Sequence, residues 1–411
     1  MKPTITLCMI VKDETHVIER CLRSVAPFVD RYDITDTGST DGTPDKIKEI
    51  MDELGVPGEV YLSDWKGFGN HAGNIGSRTE AFRNADNKAD YAWVIDADDS
   101  LVGELKLPDD ADADAYSLKI QRGDFVWWRN QIFKTSSRWR YEGILHEYAA
   151  CDNENAKVSR LFGNYSVEAR TEGNRNVGIT PVEKYERDAE TLRNALEDDP
   201  DNARYQFYLA QSYFDSQQWD NSLEAYQKRV DIGGWPEEVF YSMYRVAILK
   251  GIKGEPNMDV IRAFEDCYNY KPDRAEPLYQ ISRIYRSMGK NALAFMHAST
   301  GIGIPYPDND ILFIQEEVYK YGLLDEIGAT AFYAGKPHMG YAACKRLIEE
   351  NLIPPEQKER VRQNYESYTN IMQQMQQQQM MKEMDSQIDD LKKKQQNKET
   401  AKKYKKKKKK R

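Results

Sequence analysis

The sequence predicts two joined fold classes, an α/β domain followed by an all-α domain of paired helices. Three observations carry this. Strand-like and helix-like stretches alternate up to about residue 175. From about residue 180 to 350 the pattern turns helical, with prolines at even spacing. After about residue 370 the composition collapses to Gln, Met and Lys.

In the first segment, TITLCMIV (4–11) is β-branched and apolar, and HVIERCLRSVAPFV repeats its apolar residues at helical spacing. DITDTGST, the helical PDKIKEIMDELG, the strand-like EVYLSD, the helical SRTEAFRNA and the strand-like YAWVI follow. Such alternation predicts a largely parallel sheet covered by helices. Ligands of open sheets of this kind bind at the carboxyl ends of the strands. Two acidic motifs fall at such ends, DTGSTDGT (36–43) and the Asp96, Asp98 and Asp99 cluster that closes YAWVIDADD.

In the second segment, Pro200, Pro236, Pro272 and Pro307 recur at nearly equal spacing, and the helices ARYQFYLAQSYF, EVFYSMYRVAIL and AEPLYQISRIYRSMG follow the first three. A period near 34 with paired helices is the tetratricopeptide signature. Such repeats stack into a solenoid with a concave binding face. A protein partner, a protein acceptor or self-association through the repeats is therefore expected. In the third segment, 370–411, a Gln/Met-rich helix or short coiled coil should give way to a disordered Lys-rich tail.

Charge is unevenly spread. The chain carries a net −9, but residues 391–411 hold twelve Lys, one Arg and one Glu, which leaves −21 on residues 1–390. An acidic body disfavours nucleic acid as the main ligand, while the basic tail suits anionic surfaces. No apolar run is long enough to span a membrane. The N-terminus lacks a signal peptide's apolar centre. Five scattered cysteines without a CxxC pair fit a reducing cytoplasm and exclude a disulfide framework.

The chemistry concentrates in the first segment. Period-two alternation delivers Asp96 and Asp98 on one face, and two carboxylates that close repel unless a cation lies between them. Mn²⁺ or Mg²⁺ prefers such oxygen ligands together with substrate phosphates. Asp36 can accept hydrogen bonds from a base or ribose. Gly38 permits close backbone approach, and Ser39, Thr40 and Asp41 can cap the helix starting near Thr43–Pro44. In WRYEGILHEYA (139–149), His146 can act as a further metal or phosphate ligand, and Glu147 as a general base, with Glu142 or Asp99 as substitutes.

Taken in order, TLCMIVKDE, DTGSTDGT, FGN…SRTEAF, YAWVIDADD and WRYEGILHE resemble glycosyltransferase family 2, most closely its bacterial and viral members with tetratricopeptide repeats after the catalytic domain. The motifs cover residues 4–170. The resemblance implies a GT-A (Rossmann-like) fold, a nucleotide-sugar donor (most commonly a uridine diphosphate sugar), a divalent metal, a glycan, lipid-linked or protein hydroxyl as acceptor, and usually inversion at the anomeric carbon. It implies that Asp36 binds the base, that Val11, Lys12 and Glu14 line the nucleotide site, and that Arg78 lies near the diphosphate, although 68–78 is longer than usual. Asp96 and Asp98 match the family's D-x-D pair, with Asp98 the metal ligand, and His146 and Glu147 match its late histidine–acid pair. Two departures stand out: Asp33, a polar residue that suggests an exposed strand edge, and Thr37, where many members have a second aspartate. The competing expectation is a helical-repeat scaffold whose front domain has lost activity. A sugar nucleotidyltransferase would instead need a Gly-rich loop after the first strand, and MIVKDETHV has no glycine.

Overall fold

The computed structural model describes residues 2–408 other than 124, 154 and 175–177. It comprises two compact units, Met1–Ile232 and Gly233–Arg411.

The first unit is built on a nine-stranded sheet. Strand β1 (Ile5–Val11) is buried almost throughout, as its continuous apolar run requires of a central strand covered on both faces. It lies parallel to β2 (Arg31–Asp36) and β4 (Tyr91–Val94), and β2 pairs in parallel with β3 (Gly58–Leu62). Helices α1 (Ile18–Val25), α2 (Thr43–Glu53) and α3 (Ser77–Ala85) connect these strands. The register sets Val11 beside Asp36 and Cys8 beside Val94, so the carboxyl ends of β1, β2 and β4 lie together. Leu7, Ile34 and Trp93 are fully buried in the core of this layer.

The sheet is mixed rather than largely parallel. After β5 (Ser100–Gly103), β6 (Ala115–Arg122) and β7 (Phe125–Lys134) pair antiparallel, and β7 docks antiparallel on β4. Only residues 123–124 separate β6 from β7, too few for the crossover a parallel pair needs. A small hairpin, β8 (Arg140–Glu142) with β9 (Tyr148–Ala150), stands apart. Strands β10 (Val158–Arg160) and β11 (Tyr165–Glu168) then run parallel to β6, and β11 also pairs antiparallel with β5.

Asp33 does not mark an exposed edge. Strand β2 lies between β1 and β3, and Asp33 is wholly buried, bound by Arg31 (2.9 Å), Lys88 (3.0 Å) and the Thr6 hydroxyl (2.7 Å). Burial works against its charge, but these three partners outweigh it and hold the carboxyl below its usual range.

The helices α4 (Pro181–Asp198), α5 (Ala203–Asp215) and α6 (Trp219–Ile232) belong to the same compact unit as the sheet. A reciprocal cap between Thr180 and Glu183, with proline at the first helical position, starts α4. In the second unit, α7 (Pro236–Ile252) packs on α8 (Asn257–Tyr270), α9 (Glu276–Ser287) on α10 (Asn291–Gly301), and α11 (Leu323–Thr330) on α12 (Pro337–Glu349). Pro236 opens α7, and Pro200 and Pro272 sit in the turns ahead of α5 and α9. This is the paired-helix pattern the proline spacing predicted. The chain ends in α13 (Lys358–Lys408). The helix therefore runs on through most of the segment expected to be disordered, as the good intrinsic propensity of Gln, Met, Glu and Lys allows; residues 409–411 lie outside the described residues. Among the described residues, no helix is long and apolar enough to cross a membrane.

Candidate active site

A cleft of about 470 Å³ opens at the joined strand ends, lined by Val11, Lys12, Glu14, Thr37, Trp65, Phe68, Arg78, Asp96, Asp98, Arg170, Gly173 and Asn174. Six of the nine residues expected to form a site therefore line one cleft: Val11, Lys12, Glu14, Arg78, Asp96 and Asp98.

The two acids of the D-x-D pair differ sharply. Asp96 sits between two guanidinium groups, Arg78 at 2.8 Å and Arg129 at 3.2 Å. Burial opposes its charge, but the two arginines prevail and hold the carboxyl far below its usual range. Among the described residues Asp98 has no ion pair. Its Oδ2 instead accepts the backbone N–H groups of Glu172 (2.9 Å) and Gly173 (3.0 Å). The third acid, Asp99, is buried and accepts the Arg170 N–H. Burial first, then the neighbouring Asp96, pushes its carboxyl up to about 7.

A strap of backbone, Arg170–Asn174, lies over these acids. Besides its bonds to Asp98 and Asp99, it donates the Asn174 N–H to the Glu14 carboxylate at 3.2 Å. Glu172 forms an ion pair with Arg20 (2.6 Å), and that arginine also donates to the Asp98 carbonyl. A Cβ on Gly173 would come within 3.3 Å of Glu14 Oε1 and 3.4 Å of Asp98 Oδ2, so glycine lets the strap approach both carboxylates. Burial pushes the Glu14 carboxyl up to about 7, against the Asn174 bond.

Asp36 closes β2 and turns the chain. Its Oδ1 accepts the N–H groups of Gly38 (3.0 Å) and Ser39 (2.9 Å), with Gly38 at φ +97°. Among the described residues its Oδ2 is buried without a hydrogen-bond partner, an orphaned acceptor of the kind a ligand donor satisfies. Asp41 joins this loop to the one after β1: it accepts from Thr43 N–H and from the Thr15 hydroxyl. The residue before α2 is Gly42, which has no side chain to cap it, and Asp41 serves instead from one position earlier. Thr37 donates its N–H and hydroxyl to the Val11 carbonyl (2.9 and 3.0 Å), fastening β2 to β1 where a second acid was absent.

Glu147 and His146 part company. Glu147 Oε1 lies 2.7 Å from Arg78 Nε, an ion pair outside hydrogen-bonding geometry. Arg78 thus links Glu147 to Asp96. Burial opposes the Arg78 charge, and the carboxylates of Asp96 and Glu147 overcome it. Nε and Nη2 each face a different carboxylate, so Arg78 holds the site together as well as lining it. His146 instead turns onto α5. Its ring stacks on Tyr208 at 3.9 Å and 8°, its backbone takes the left-handed φ of 51°, and its carbonyl accepts Arg204 at 2.8 Å. The stack and the left-handed turn direct the ring away from the strand-end cleft, which it does not line. Among the described residues no group of three or more His, Cys, Asp or Glu is arranged to hold a metal.

Residues 6–151 match the family model described as glycosyl transferase family 2. The N-terminal domain is a family 2 glycosyl transferase domain. A TPR repeat-containing protein of Synechococcus elongatus is 27% identical over 314 residues, 71% of this chain and 73% of that protein. Among solved structures, MamA matches at 16% identity and a TM-score of 0.34, over 41% of this chain and 90% of its own. YrrB, described as a TPR protein with an unusual peptide-binding site, matches at 14% identity and 0.31, over 41% and 78%.

Two contributors to the region of the family 2 domain's cleft escaped sequence reasoning: Arg129, and the strap that begins at Arg170. Arg129 lies on β7, whose run VWWRNQIF sets apolar and polar residues in blocks rather than in alternation, so no period-two signal pointed to its place beside β4. The strap bonds through backbone N–H groups, which every residue but proline carries, so no side-chain pattern announces it.

Proposed function

We propose that the protein transfers a sugar from a nucleoside-diphosphate donor, a uridine diphosphate sugar in the first instance, to a hydroxyl group of an acceptor, with inversion at the anomeric carbon. The observation that carries this reading is the set of groups around one cleft at the ends of β1, β2 and β4, within a family 2 domain. Asp36, with its orphaned buried oxygen, receives a donor from the base or ribose. Lys12 and Arg170 supply positive charge facing the diphosphate.

The residues suit a divalent cation of the kind that substrate completes. Asp98 is the carboxylate of the pair not committed to an arginine, and Mg²⁺ and Mn²⁺ are commonly held by one or two carboxylates plus substrate phosphates. A bound cation supplies charge stabilisation for the departing diphosphate. Asp96 plays a different part. Clamped between Arg78 and Arg129, it fixes the start of the turn after β4 that carries Asp98. Glu147, held by Arg78 next to Asp96, takes the proton from the attacking hydroxyl as it approaches from the face opposite the leaving group.

A screen of nucleotide sugars for donor hydrolysis, with Mn²⁺, with Mg²⁺ and in chelator, tests the reading. Asp98→Asn should lower hydrolysis by about a hundredfold or more, on the scale of losing one preorganised electrostatic group, with an unchanged circular dichroism spectrum. Full activity of this variant, or of the wild type in chelator, removes the metal role. No hydrolysis from any donor leaves the helical-repeat scaffold as the working description.

A further inference from the structure

A second cleft, of about 540 Å³, lies within the first unit. Phe68 lines the strand-end cleft and Asn70, two residues on, lines this one. Its walls come from three places: the loop Asn70–Ile75, the β8–β9 hairpin through Arg140, Glu142 and Tyr148, and α5 through Arg204 and Tyr205. The hairpin's turn carries Glu147, and α5 clamps that turn. Arg204 donates to the His146 carbonyl, and the Tyr205 hydroxyl accepts the Ile144 N–H at 3.2 Å and bonds His71 Nδ1 at 3.0 Å. Leu145 is buried in a cluster with Leu192 of α4 and Leu209 of α5. The helix is thus built into the region of Glu147 and not simply appended after it.

We infer that this second cleft is the acceptor site and that it takes a carbohydrate chain; the acceptor role rests on the transferase reading above. Three features set the ligand class. The walls combine the amides of Asn70 and Asn74, each with donor and acceptor, with the donors of Arg140 and the acceptors of Glu142. These last two are paired with each other at 2.5 Å. Such a mixed polar wall suits a ligand made of hydroxyl groups. Tyr148 is 48% exposed and offers a ring to a sugar face, with the Arg204 guanidinium 4.9 Å from its centroid. Charges of both signs line it, Arg140 and Arg204 against Glu142 and Asp199, which favours a neutral ligand. Apart from tyrosine, its only apolar side chains are Ala72, Ile75 and Ala150 among the described residues, so it lacks the deep apolar anchors on which peptide grooves rely.

The test uses the full chain and an immobilised panel of neutral oligosaccharides, with a peptide panel beside it. Wild type should be retained by a subset of the oligosaccharides. Tyr148→Ala removes the ring, and Asn74→Trp fills the cleft from an exposed loop position whose bonds to His71 are backbone ones that a new side chain leaves in place; each should weaken retention at least about tenfold. Retention by peptides alone, no retention at all, or both variants binding as tightly as wild type overturns the inference. Donor hydrolysis measured on the same preparations separates the two readings. Hydrolysis without oligosaccharide binding defeats this cleft's assignment alone. Cleft-dependent oligosaccharide binding without hydrolysis of any donor defeats the transferase reading and the acceptor role, and leaves a carbohydrate-binding site.

Discussion

Arg78 shows how one residue can tie a site together while lining it. Its guanidinium, 15% exposed, meets Asp96 with one nitrogen and Glu147 with another, and its charge also faces the rings of Phe68 and Tyr141. Removing it leaves two carboxylates close together with only Arg129 to offset them. Breaking a buried pair in this way typically costs about 3–5 kcal/mol, and the partial exposure of Asp96 places the expected cost for Arg78→Met at the lower end, about 3 kcal/mol. Arg78→Lys should recover only part of the loss, because a point charge cannot reproduce the fork between two acids. Urea unfolding followed by tryptophan fluorescence measures both; a loss below about 1 kcal/mol for Arg78→Met would mean that water replaces the arginine readily. Sequence reading placed Arg78 near the diphosphate through its motif, and it does line the strand-end cleft. Its actual partners are 18 and 69 positions away in the chain, and no local spacing encodes them. The unequal fates of Asp96 and Asp98 were equally hidden, since they depend on which acid the two arginines reach.

At the level of elements, legibility followed period and length. The helix SRTEAFRNA and the strand YAWV were read nearly to the residue because each pattern runs uninterrupted and is closed by a break. The strands between residues 100 and 168 were not read. Several are only three or four residues long, too short to show a period, and their partners in the sheet are distant in sequence. The turn 143–147 is the clearest case of tertiary control. Its motif marked His146 and Glu147 as a pair, yet α5 takes the histidine and Arg78 the glutamate. Leu145, one position before them, is 6% exposed in the α4–α5 core. Leu145→Ala should therefore cost about 2–4 kcal/mol and also loosen the seat of Glu147. Transfer should fall more than donor binding does, with donor affinity followed by calorimetry and turnover by donor consumption with acceptor present. Equal losses in both would assign Leu145 to stability alone.

For the molecule as a whole, composition marked three segments, and the structure shows where the last of them stops contributing. Helix α13 begins inside a core: Val361 and Tyr368 are buried with α11 and α12, Tyr365 and Ile371 are partly buried against them, and the Tyr368 hydroxyl accepts the Phe332 N–H at 3.1 Å. Gly340 accommodates the same tyrosine, since a Cβ there would lie 2.2 Å from its ring. From Gln373 to Lys394 every residue is exposed, with Met375, Met380, Met381, Met384, Ile388 and Leu391 among them. Of the core residues at the start of α13, only Ile371 falls in the Gln/Met/Lys-rich segment expected from residue 370; Val361, Tyr365 and Tyr368 precede it. Two truncations separate these halves. Ending the chain at Gln374 removes helix that is exposed throughout from Met375 to Lys394 and should leave the melting temperature within about 1–2 °C of the full chain, as expected for changes away from packed features. Ending it at Gln357 uncovers the sites of Val361 and Tyr368 in the α11–α12 core. Losing buried side chains of this size costs several kcal/mol, enough to lower the transition of the second unit by roughly 5 °C or more. Calorimetry of both truncations decides the matter, and a large loss from ending at Gln374 would mean that the exposed Met-rich half of α13 is covered by a partner in solution.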